Sequence, residues 1–249
     1  RFSDDGATWE GWQPIAAGHG WQLPVGDGEK TIWGQVRDIA GNVQQCSDTV
    51  LLDQTPPTGT LTPSDGSGYT AAQEIVVTLS ADDPLGEGAP SGSPTSGVAA
   101  VCLADQAETC TDWQDYRPTL SWELAPTQVV SQSVCAWFQD RAGNVSSPVC
   151  ETIVLDQEAP VGGISLDDNA LYAAERLVTA DMWATDNVTE AVTLAWSGAG
   201  GAGSWQGAAP LTYITELTLD DSDGPQTVYL EITDATGNPS AVYSDTIVL

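Results

Sequence analysis

Three stretches of the chain alternate apolar and polar residues with a period of two, and each stretch ends at the same kind of loop. The apolar positions are Ile32, Gly34 and Val36, then Val134, Ala136 and Phe138, then Val228, Leu230 and Ile232. A period of two predicts β-strands with one buried face. Helical periodicity is absent and turn signals recur every dozen residues or so, so the chain is predicted to be all-β and to form sandwiches.

The loop that ends each stretch has the motif Asp-x-x-Gly-Asn. Its copies begin at Asp38, Asp140 and Asp234, which lie 102 and 94 residues apart. A similar strand follows each copy, at residues 48–52 (DTVLL), 151–155 (ETIVL) and 245–249 (DTIVL). We therefore predict three repeats: repeat 1 (residues 1–54, a partial module), repeat 2 (55–157) and repeat 3 (158–249).

Turn chemistry alone accounts for the loop motif. An aspartate at the start bonds its own backbone, the glycine supplies a positive φ, and asparagine tolerates the left-handed region. In a sandwich this loop would join strands F and G. Prolines follow the first two copies, at Pro56-Pro57 and Pro160, where they end the strand ladder and stiffen a short linker.

The Asp-x-Ala-Gly-Asn loop and the Leu-Asp-x-x-x-Pro strand ending resemble the bacterial immunoglobulin-like tandem repeats of large secreted or cell-surface proteins. Repeat 3 departs from the pattern, with Thr236 in place of alanine and Pro239 after the asparagine. The resemblance implies tandem immunoglobulin-like β-sandwiches arranged as a rod. It also implies a bacterial, extracellular or cell-surface location, and a structural or adhesive role as a rod, stalk or fibre subunit.

Repeat 1 holds only the second half of such a sandwich. Its sequence predicts a C-strand hairpin within residues 2–12, a strand E near Trp21-Gln22-Leu23, and strands F and G, whereas strands A and B are missing. A half sandwich leaves an apolar face and unpaired strand edges in water. Two explanations stay open: the missing strands lie upstream of Arg1, or another chain donates them and so builds a filament.

Charge is the most unusual feature of the composition. Six basic residues against 35 acidic ones give a net charge of −29. Such a surface repels phosphate backbones, so nucleic-acid binding is excluded, and no apolar run is long enough for membrane insertion. The partners that remain are hard cations, other copies or neighbouring modules of the same protein, and surface glycans or proteins.

The five cysteines include no C-x-x-C pair, and the chain has a single histidine, so a zinc or iron–sulfur site is disfavoured. Disulfides in an oxidising compartment are predicted instead. Cys135 and Cys150 face each other across the F–G hairpin, and Cys102 and Cys110 flank a turn, although Cys102–Cys135 is an alternative pairing. Cys46 is left unpaired, either free or joined to a cysteine elsewhere.

Sandwich topology gathers carboxylates where the repeats meet. Since like charges packed together repel, and Ca²⁺ takes six to eight oxygen ligands, we expect Ca²⁺ at these junctions and no other cofactor. The candidate ligands at the first junction are Asp53, Asp82, Asp83, Asp140 and Asn144. Those at the second are Asp156, Asp186, Asn187, Asp234 and Asn238. A solvated acidic surface without bound metal is the alternative.

No catalytic constellation is predicted. His19 lies in a glycine-rich loop, and no nucleophile elbow occurs anywhere in the chain. Ten tryptophans raise a different alternative, that these are carbohydrate-binding or spacer modules of a secreted enzyme. Trp33 and Trp137 are predicted to point outward, where rings stack on sugars, although a structural role in packing would also explain them.

Overall fold

The computed structural model describes residues 1–87, 89–107, 109–126, 131–188, 193–197, 206–210 and 214–249. Across these residues the regular structure consists of strands and one short 3-10 turn, Asp167–Asn169. The fold is an all-β sandwich, as the period-two pattern predicted. In the described part of the chain no helix has the length and hydropathy needed to cross a bilayer.

Repeat 1 forms one three-stranded antiparallel sheet in the order β1-β2-β3. Its strands are β1 (Phe2–Ser3), β2 (Gly28–Arg37) and β3 (Val43–Leu52). The predicted second strand of the hairpin and strand E near Trp21 are wrong, because residues 4–27 contain no strand. Two prolines and four glycines interrupt residues 11–26, and these residue types do not sustain a ladder.

Repeat 2 contributes a five-stranded sheet in the order β5-β11-β10-β7-β8 and a three-stranded sheet in the order β4-β6-β9. Buried apolar side chains lie at alternate positions, as in β6, where Ile75, Val77 and Leu79 are at most 4 % exposed. The strands are β4 (Thr58–Pro63), β5 (Tyr69–Thr70), β6 (Glu74–Asp82), β7 (Val98–Ala104), β8 (Trp113–Asp115), β9 (Thr119–Glu123), β10 (Ser131–Asp140) and β11 (Val149–Leu155).

Repeat 3 has the same two-sheet plan, with the orders β12-β13-β16 and β15-β14-β17-β18. Its core joins both sheets, since Val178 and Ala180 of one cluster with Val228 and Ile247 of the other. The strands are β12 (Val161–Leu166), β13 (Leu177–Thr185), β14 (Thr193–Ser197), β15 (Gln206–Pro210), β16 (Ile214–Thr218), β17 (Pro225–Thr233) and β18 (Tyr243–Val248).

A glycine in the first strand of each complete sandwich allows the two sheets to approach closely. A Cβ on Gly59 would lie 2.3 Å from the ring of Phe138, and a Cβ on Gly162 would lie 2.1 Å from Ile232. No side chain fits in that space without displacing the facing strand. The two glycines hold corresponding positions in repeats 2 and 3.

The chain divides into two compact units. One comprises Arg1–Thr62, Val77–Leu120 and Ser133–Glu151, and the other comprises Pro63–Val76, Ser121–Gln132 and Thr152–Leu249. The border between them passes within repeat 2, so the repeat boundaries drawn from the sequence stay predictions.

Two disulfides are present, Cys102–Cys110 and Cys135–Cys150. The alternative pairing of Cys102 with Cys135 is not formed. Cys46 is a free, exposed thiol on β3.

Thiol counting checks this arrangement. We expect one reactive thiol per chain in denaturant without reductant, because only Cys46 is free, and five after reduction. Replacing Cys46 by serine (Cys46→Ser) should lower the unreduced count to zero. A count of three or five without reductant would contradict the pairing.

Candidate cation sites beside the Asp-x-x-Gly-Asn loops

Two groups of three aspartates form at corresponding places in repeats 2 and 3. Site 1 consists of Asp53, Asp83 and Asp140, and site 2 consists of Asp156, Asp186 and Asp234. Within each site, one carboxylate oxygen from every aspartate lies within 4.8 Å of the others. In each site one aspartate belongs to the linker (Asp53 or Asp156) and one belongs to the loop motif (Asp140 or Asp234). The remaining aspartate directly follows a strand, Asp83 after β6 and Asp186 after β13.

The loop motif fixes the third aspartate of each site. Asp140 Oδ1 accepts hydrogen bonds from the backbone amides of Gly143 (2.7 Å) and Asn144 (2.8 Å). Gly143 has φ +97° and Gly237 φ +96°, a conformation that glycine adopts without strain. The tight turn therefore turns the aspartate carboxylate back over its own loop.

The asparagine of the motif holds the linker. The side-chain amide of Asn144 donates to the backbone carbonyl of Asp53 at 3.0 Å and to Asp140 Oδ2 at 2.8 Å. Asn238 repeats the first of these bonds on the carbonyl of Asp156 at 3.0 Å. The two asparagines, predicted as metal ligands, thus use their amide nitrogens to position the linker aspartates.

Asp83 is a buried carboxylate of site 1. Only 8 % of the residue is exposed, and Oδ2 accepts a hydrogen bond from the backbone amide of Gly97 at 2.6 Å. Its other oxygen, Oδ1, is buried without a hydrogen-bond partner. A buried charged oxygen without a partner lowers the stability of the fold. A cation, a proton or a water bound to this oxygen would remove that penalty.

Asp156, the linker aspartate of site 2, is fully buried. Its Oδ1 accepts a hydrogen bond from the backbone amide of Glu158 at 3.2 Å, whereas Oδ2 is buried without a hydrogen-bond partner. Its own backbone amide donates to the carbonyl of Thr70 at 2.8 Å. Each site therefore contains at least one buried carboxylate oxygen without a hydrogen-bond partner, on Asp83 in site 1 and on Asp156 in site 2.

The electrostatics of the sites follow from burial and like charge. Burial raises the pKa of Asp83, and the neighbouring charges of Asp53 and Asp140 raise it further. Burial likewise raises the pKa of Asp156, with added repulsion from Asp186 and Asp234. These directions mean that the folded protein resists carrying all of these charges at once.

Asp234 shows the opposite net direction. Burial raises its pKa, but hydrogen bonds from Asn238 and Thr236 outweigh burial and lower the pKa overall. Asp234 is thereby stabilised in its charged form, whereas its neighbour Asp156 is destabilised in its charged form. That combination favours a bound positive ion over simple protonation of both groups.

Among the described residues, no basic side chain forms an ion pair with the aspartates of site 1. The ion pairs found in the described part of the chain are His19–Glu10 and Arg176–Asp221. Arg141 follows Asp140 directly, but its guanidinium donates to the carbonyl of Ser96 at 3.0 Å. The charge of site 1 is therefore not balanced by an ion pair with a described residue.

Four predicted ligands lie outside the groups of three: Asn144 and Asn238, which position the linkers, and Asp82 and Asn187. Asp82 is exposed, because neighbouring residues of an extended strand point to opposite faces and only Asp83 turns inward. Asn187 donates its side-chain amide to Glu158 Oε2 at 2.8 Å.

Sequence reasoning missed the backbone amides that orient the sites, those of Ser96 and Gly97. Ser96 N–H donates to Asp53 Oδ2 at 2.8 Å. These donors lie on the long loop before β7, within residues 89–97, which are all small residues or prolines and carry no signal that distinguishes one amide from another.

Another buried aspartate, Asp27, ties repeat 1 to the linker and to repeat 2. Its carboxylate accepts hydrogen bonds from Gln54 N–H (3.0 Å), Thr55 Oγ1 (2.5 Å) and Gly86 N–H (3.0 Å). The hydrogen bond from Thr55 is the largest cause of its lowered pKa. Because both carboxylate oxygens accept hydrogen bonds, Asp27 holds these segments together and is not a candidate metal ligand.

The tryptophans divide between packing and surface. Trp137, predicted to point outward, is only 8 % exposed and lies opposite Cys102 in the ladder, so the disulfide-bearing face is covered. Trp12 packs under the guanidinium groups of Arg1 and Arg37. Trp122 differs, because it lines a cavity of about 530 Å³ with the polar side chains of Gln73, Glu74, Ser121 and Glu123.

No family model matches the chain, and no curated protein matches it. Solved structures do resemble it. Fibronectin(III)-like modules of CbhA from Clostridium thermocellum align with 12 % identity and a TM-score of 0.46, over 76 % of this chain and 94 % of theirs. The FN1–FN3 domains of chicken CNTN1 align with 13 % identity and a TM-score of 0.39, over 88 % of this chain and 78 % of that one.

A tetra-tandem repeat from the extending region of a large adhesion protein aligns with 22 % identity and a TM-score of 0.30. That alignment covers 90 % of this chain and 57 % of the other. At these values the similarities do not decide function, and the sites must be judged on their own geometry.

The raised pKa values of Asp83 and Asp156 predict an unusual pH dependence in the absence of divalent cations. Groups whose folded pKa exceeds the ordinary value of 3.8 stabilise the fold fully below that pH, and this contribution is lost as pH rises through the folded pKa. We expect the melting temperature of chelator-treated protein to rise as pH falls from 7 toward 4.

The variant Asp83→Asn should show a smaller rise and a higher melting temperature at pH 7, because it removes the charge and supplies a donor at the unpartnered position. Asp82→Asn is the matched control, since this neighbour is exposed, and it should behave as the parent. Equal pH profiles for the parent and Asp83→Asn, measured by calorimetry, would contradict the electrostatic account.

Proposed function

We propose that this chain is part of an extracellular structural or adhesive module array whose sites 1 and 2 bind Ca²⁺. Bound calcium would hold each linker against the loop motif of the sandwich that follows it. The role is mechanical: the array would serve as a cell-surface rod, stalk or fibre subunit. The observation that carries the proposal is the pair of buried, unpartnered carboxylate oxygens, Asp83 Oδ1 and Asp156 Oδ2, each inside a group of three aspartates.

The chemistry of the sites favours a hard cation. All side-chain ligands are carboxylates, and no histidine or cysteine belongs to either group, which suits Ca²⁺ over zinc or copper. Three carboxylates supply only part of the six to eight oxygens that Ca²⁺ takes, so backbone carbonyls and water would complete the shell. The net charge of −29 also favours binding, because it raises the local concentration of divalent cations around the chain.

The extracellular part of the proposal is supported by the disulfides and the repeats. Disulfides persist in oxidising compartments, and the chain has two. Sandwiches in tandem offer shape and stiffness, and the acidic surface argues against nucleic acid as a partner. Other copies of the protein, neighbouring modules, and surface glycans or proteins are the partners that fit.

Calcium titration tests the proposal. We expect two binding events per chelator-treated chain by calorimetry, and a rise in unfolding free energy of about 3 kcal/mol for each site when free Ca²⁺ is a hundred times the dissociation constant of that site. Asp83→Asn should remove one event and Asp156→Asn the other, because each loses the unpartnered oxygen of one site.

Asp82→Asn is the matched control and should retain both events. The sign of the effect is also diagnostic: Asp83→Asn should stabilise the calcium-free chain yet abolish the stabilisation by calcium. Absence of heat and of any shift in melting temperature, in the parent protein at millimolar Ca²⁺, would refute the proposal.

Sugar binding is a second candidate function, and Trp122 is the observation that favours it. A partly exposed indole beside glutamate, glutamine and serine side chains offers a stacking face with hydrogen-bonding groups around it. We expect a soluble glycan that binds there to change tryptophan fluorescence by a saturable amount, and Trp122→Ala to abolish the change. Trp33→Ala is the control, and loss of the signal in that variant instead would place binding elsewhere.

A further inference from the structure

The loop that joins β6 to β7 is much longer than its counterpart in repeat 3. Residues 83–97 connect β6 to β7, whereas the connection from β13 to β14, residues 186–192, is less than half as long. Both connections begin with an aspartate of a cation site, Asp83 or Asp186. The additional length in repeat 2 is therefore not needed to close the sandwich or to place that aspartate. We call residues 84–97 the strap.

One end of the strap is tied to repeat 1 through Asp27. Gly86 N–H donates to Asp27 Oδ2 at 3.0 Å, and the same oxygen accepts a hydrogen bond from Thr55 Oγ1. The backbone approaches so closely that a Cβ on Gly86 would lie 2.4 Å from Thr55 Oγ1 and 2.5 Å from Asp27 Oδ2. Only 5 % of Asp27 is exposed, and hydrogen bonds to a buried charge are stronger than those to an exposed one.

The middle of the strap packs against repeat 1 as well. A Cβ on Gly28, at the start of β2, would lie 3.0 Å from Ser93 Oγ and 3.4 Å from Pro90 Cδ. Two turns hold this part of the strap in shape. Ala89 N–H donates to the carbonyl of Gly86 at 3.2 Å, and Ser93 N–H donates to the carbonyl of Pro90 at 3.0 Å. The strap is thus folded onto the first residue of β2.

The other end of the strap orients two aspartates of site 1. Ser96 N–H donates to Asp53 Oδ2 at 2.8 Å, and Gly97 N–H donates to Asp83 Oδ2 at 2.6 Å. The second oxygen of Asp83, Oδ1, is the buried oxygen without a hydrogen-bond partner. Because both amides belong to the strap, a displacement of the strap would release both carboxylates from the positions that they hold in the site.

We infer that Asp27 is a positioning residue of site 1: by holding the strap on repeat 1, it fixes the amides that orient Asp53 and Asp83 toward a cation. This inference rests on the proposed calcium binding and adds its regulation. Calcium affinity at site 1 depends on the contact between the strap and repeat 1, and calcium at site 1 strengthens that contact, because coupling between two sites is reciprocal. Site 2 lies beside the shorter connection and is the internal reference.

Calcium titration of the variant Asp27→Asn measures the coupling, with each binding event assigned to its site by Asp83→Asn and Asp156→Asn. We expect the dissociation constant of site 1 to rise at least about fivefold, the lower end of typical coupling between sites, while that of site 2 stays unchanged. Glu87→Gln is the matched control, because it removes the same charge from an exposed residue of the strap and should leave both constants unchanged. Equal weakening by both variants would assign the effect to net charge and overturn the inference.

Gly86→Ala tests the strap without altering any carboxylate. The added Cβ has no room beside Thr55 and Asp27, so the amide must move away from Asp27 and site 1 should weaken as in Asp27→Asn. An unchanged near-ultraviolet circular dichroism spectrum and a retained site 2 event show that each variant is folded. A parent-like dissociation constant at site 1 in both folded variants would overturn the inference.

Hydrogen exchange of the unmodified chain gives the reciprocal measurement. We expect saturating calcium to slow exchange of the Gly86 and Ser93 amides at least about fivefold relative to the chelator-treated chain, and Asp83→Asn to abolish this protection. If calorimetry shows two binding events but both amides exchange at the same rate with and without calcium, the coupling is wrong and the proposed function stands. If the parent chain shows no binding event, both are wrong.

Discussion

The hydrogen bond from a loop asparagine to the linker carbonyl is the contact on which the junctions depend. Asn144 makes it to Asp53, and Asn238 makes it to Asp156, both at 3.0 Å. By holding the backbone of the linker, the asparagine determines where the linker aspartate side chain goes, which is beside two further carboxylates. The site is thus a consequence of how one sandwich is tied to the preceding segment. The corresponding loop of repeat 1, Asp38–Asn42, is exposed.

The junctions combine favourable backbone geometry with unfavourable charge. Backbone amides and the asparagine satisfy most carboxylate oxygens, but burial and mutual repulsion raise the pKa of Asp83 and Asp156. A cation would convert that repulsion into attraction at the place where the linker meets the loops. Stability would then respond to the surrounding calcium concentration.

The second constraint is the requirement that every sheet bury one face. Repeats 2 and 3 meet it with a covering sheet whose glycine admits Phe138 or Ile232. In the three-stranded sheet of repeat 1, the corresponding valines Val36 and Val50 are about half exposed. The closed cores of repeats 2 and 3 therefore depend on the covering sheet as much as on the alternating pattern of the strands that it covers.

The sequence by itself determined the all-β class and the cysteines that can face each other, because period-two alternation and turn chemistry are local properties. It also singled out every member of sites 1 and 2, since acidic residues in loops are visible in the sequence. Only the tertiary structure decided that Asp83 turns inward while Asp82 does not, that Asn144 holds the linker, and that Trp137 is covered. The reason is that burial and hydrogen-bond partners arise from segments far apart in the chain, and no local pattern records which of two neighbouring side chains will meet them.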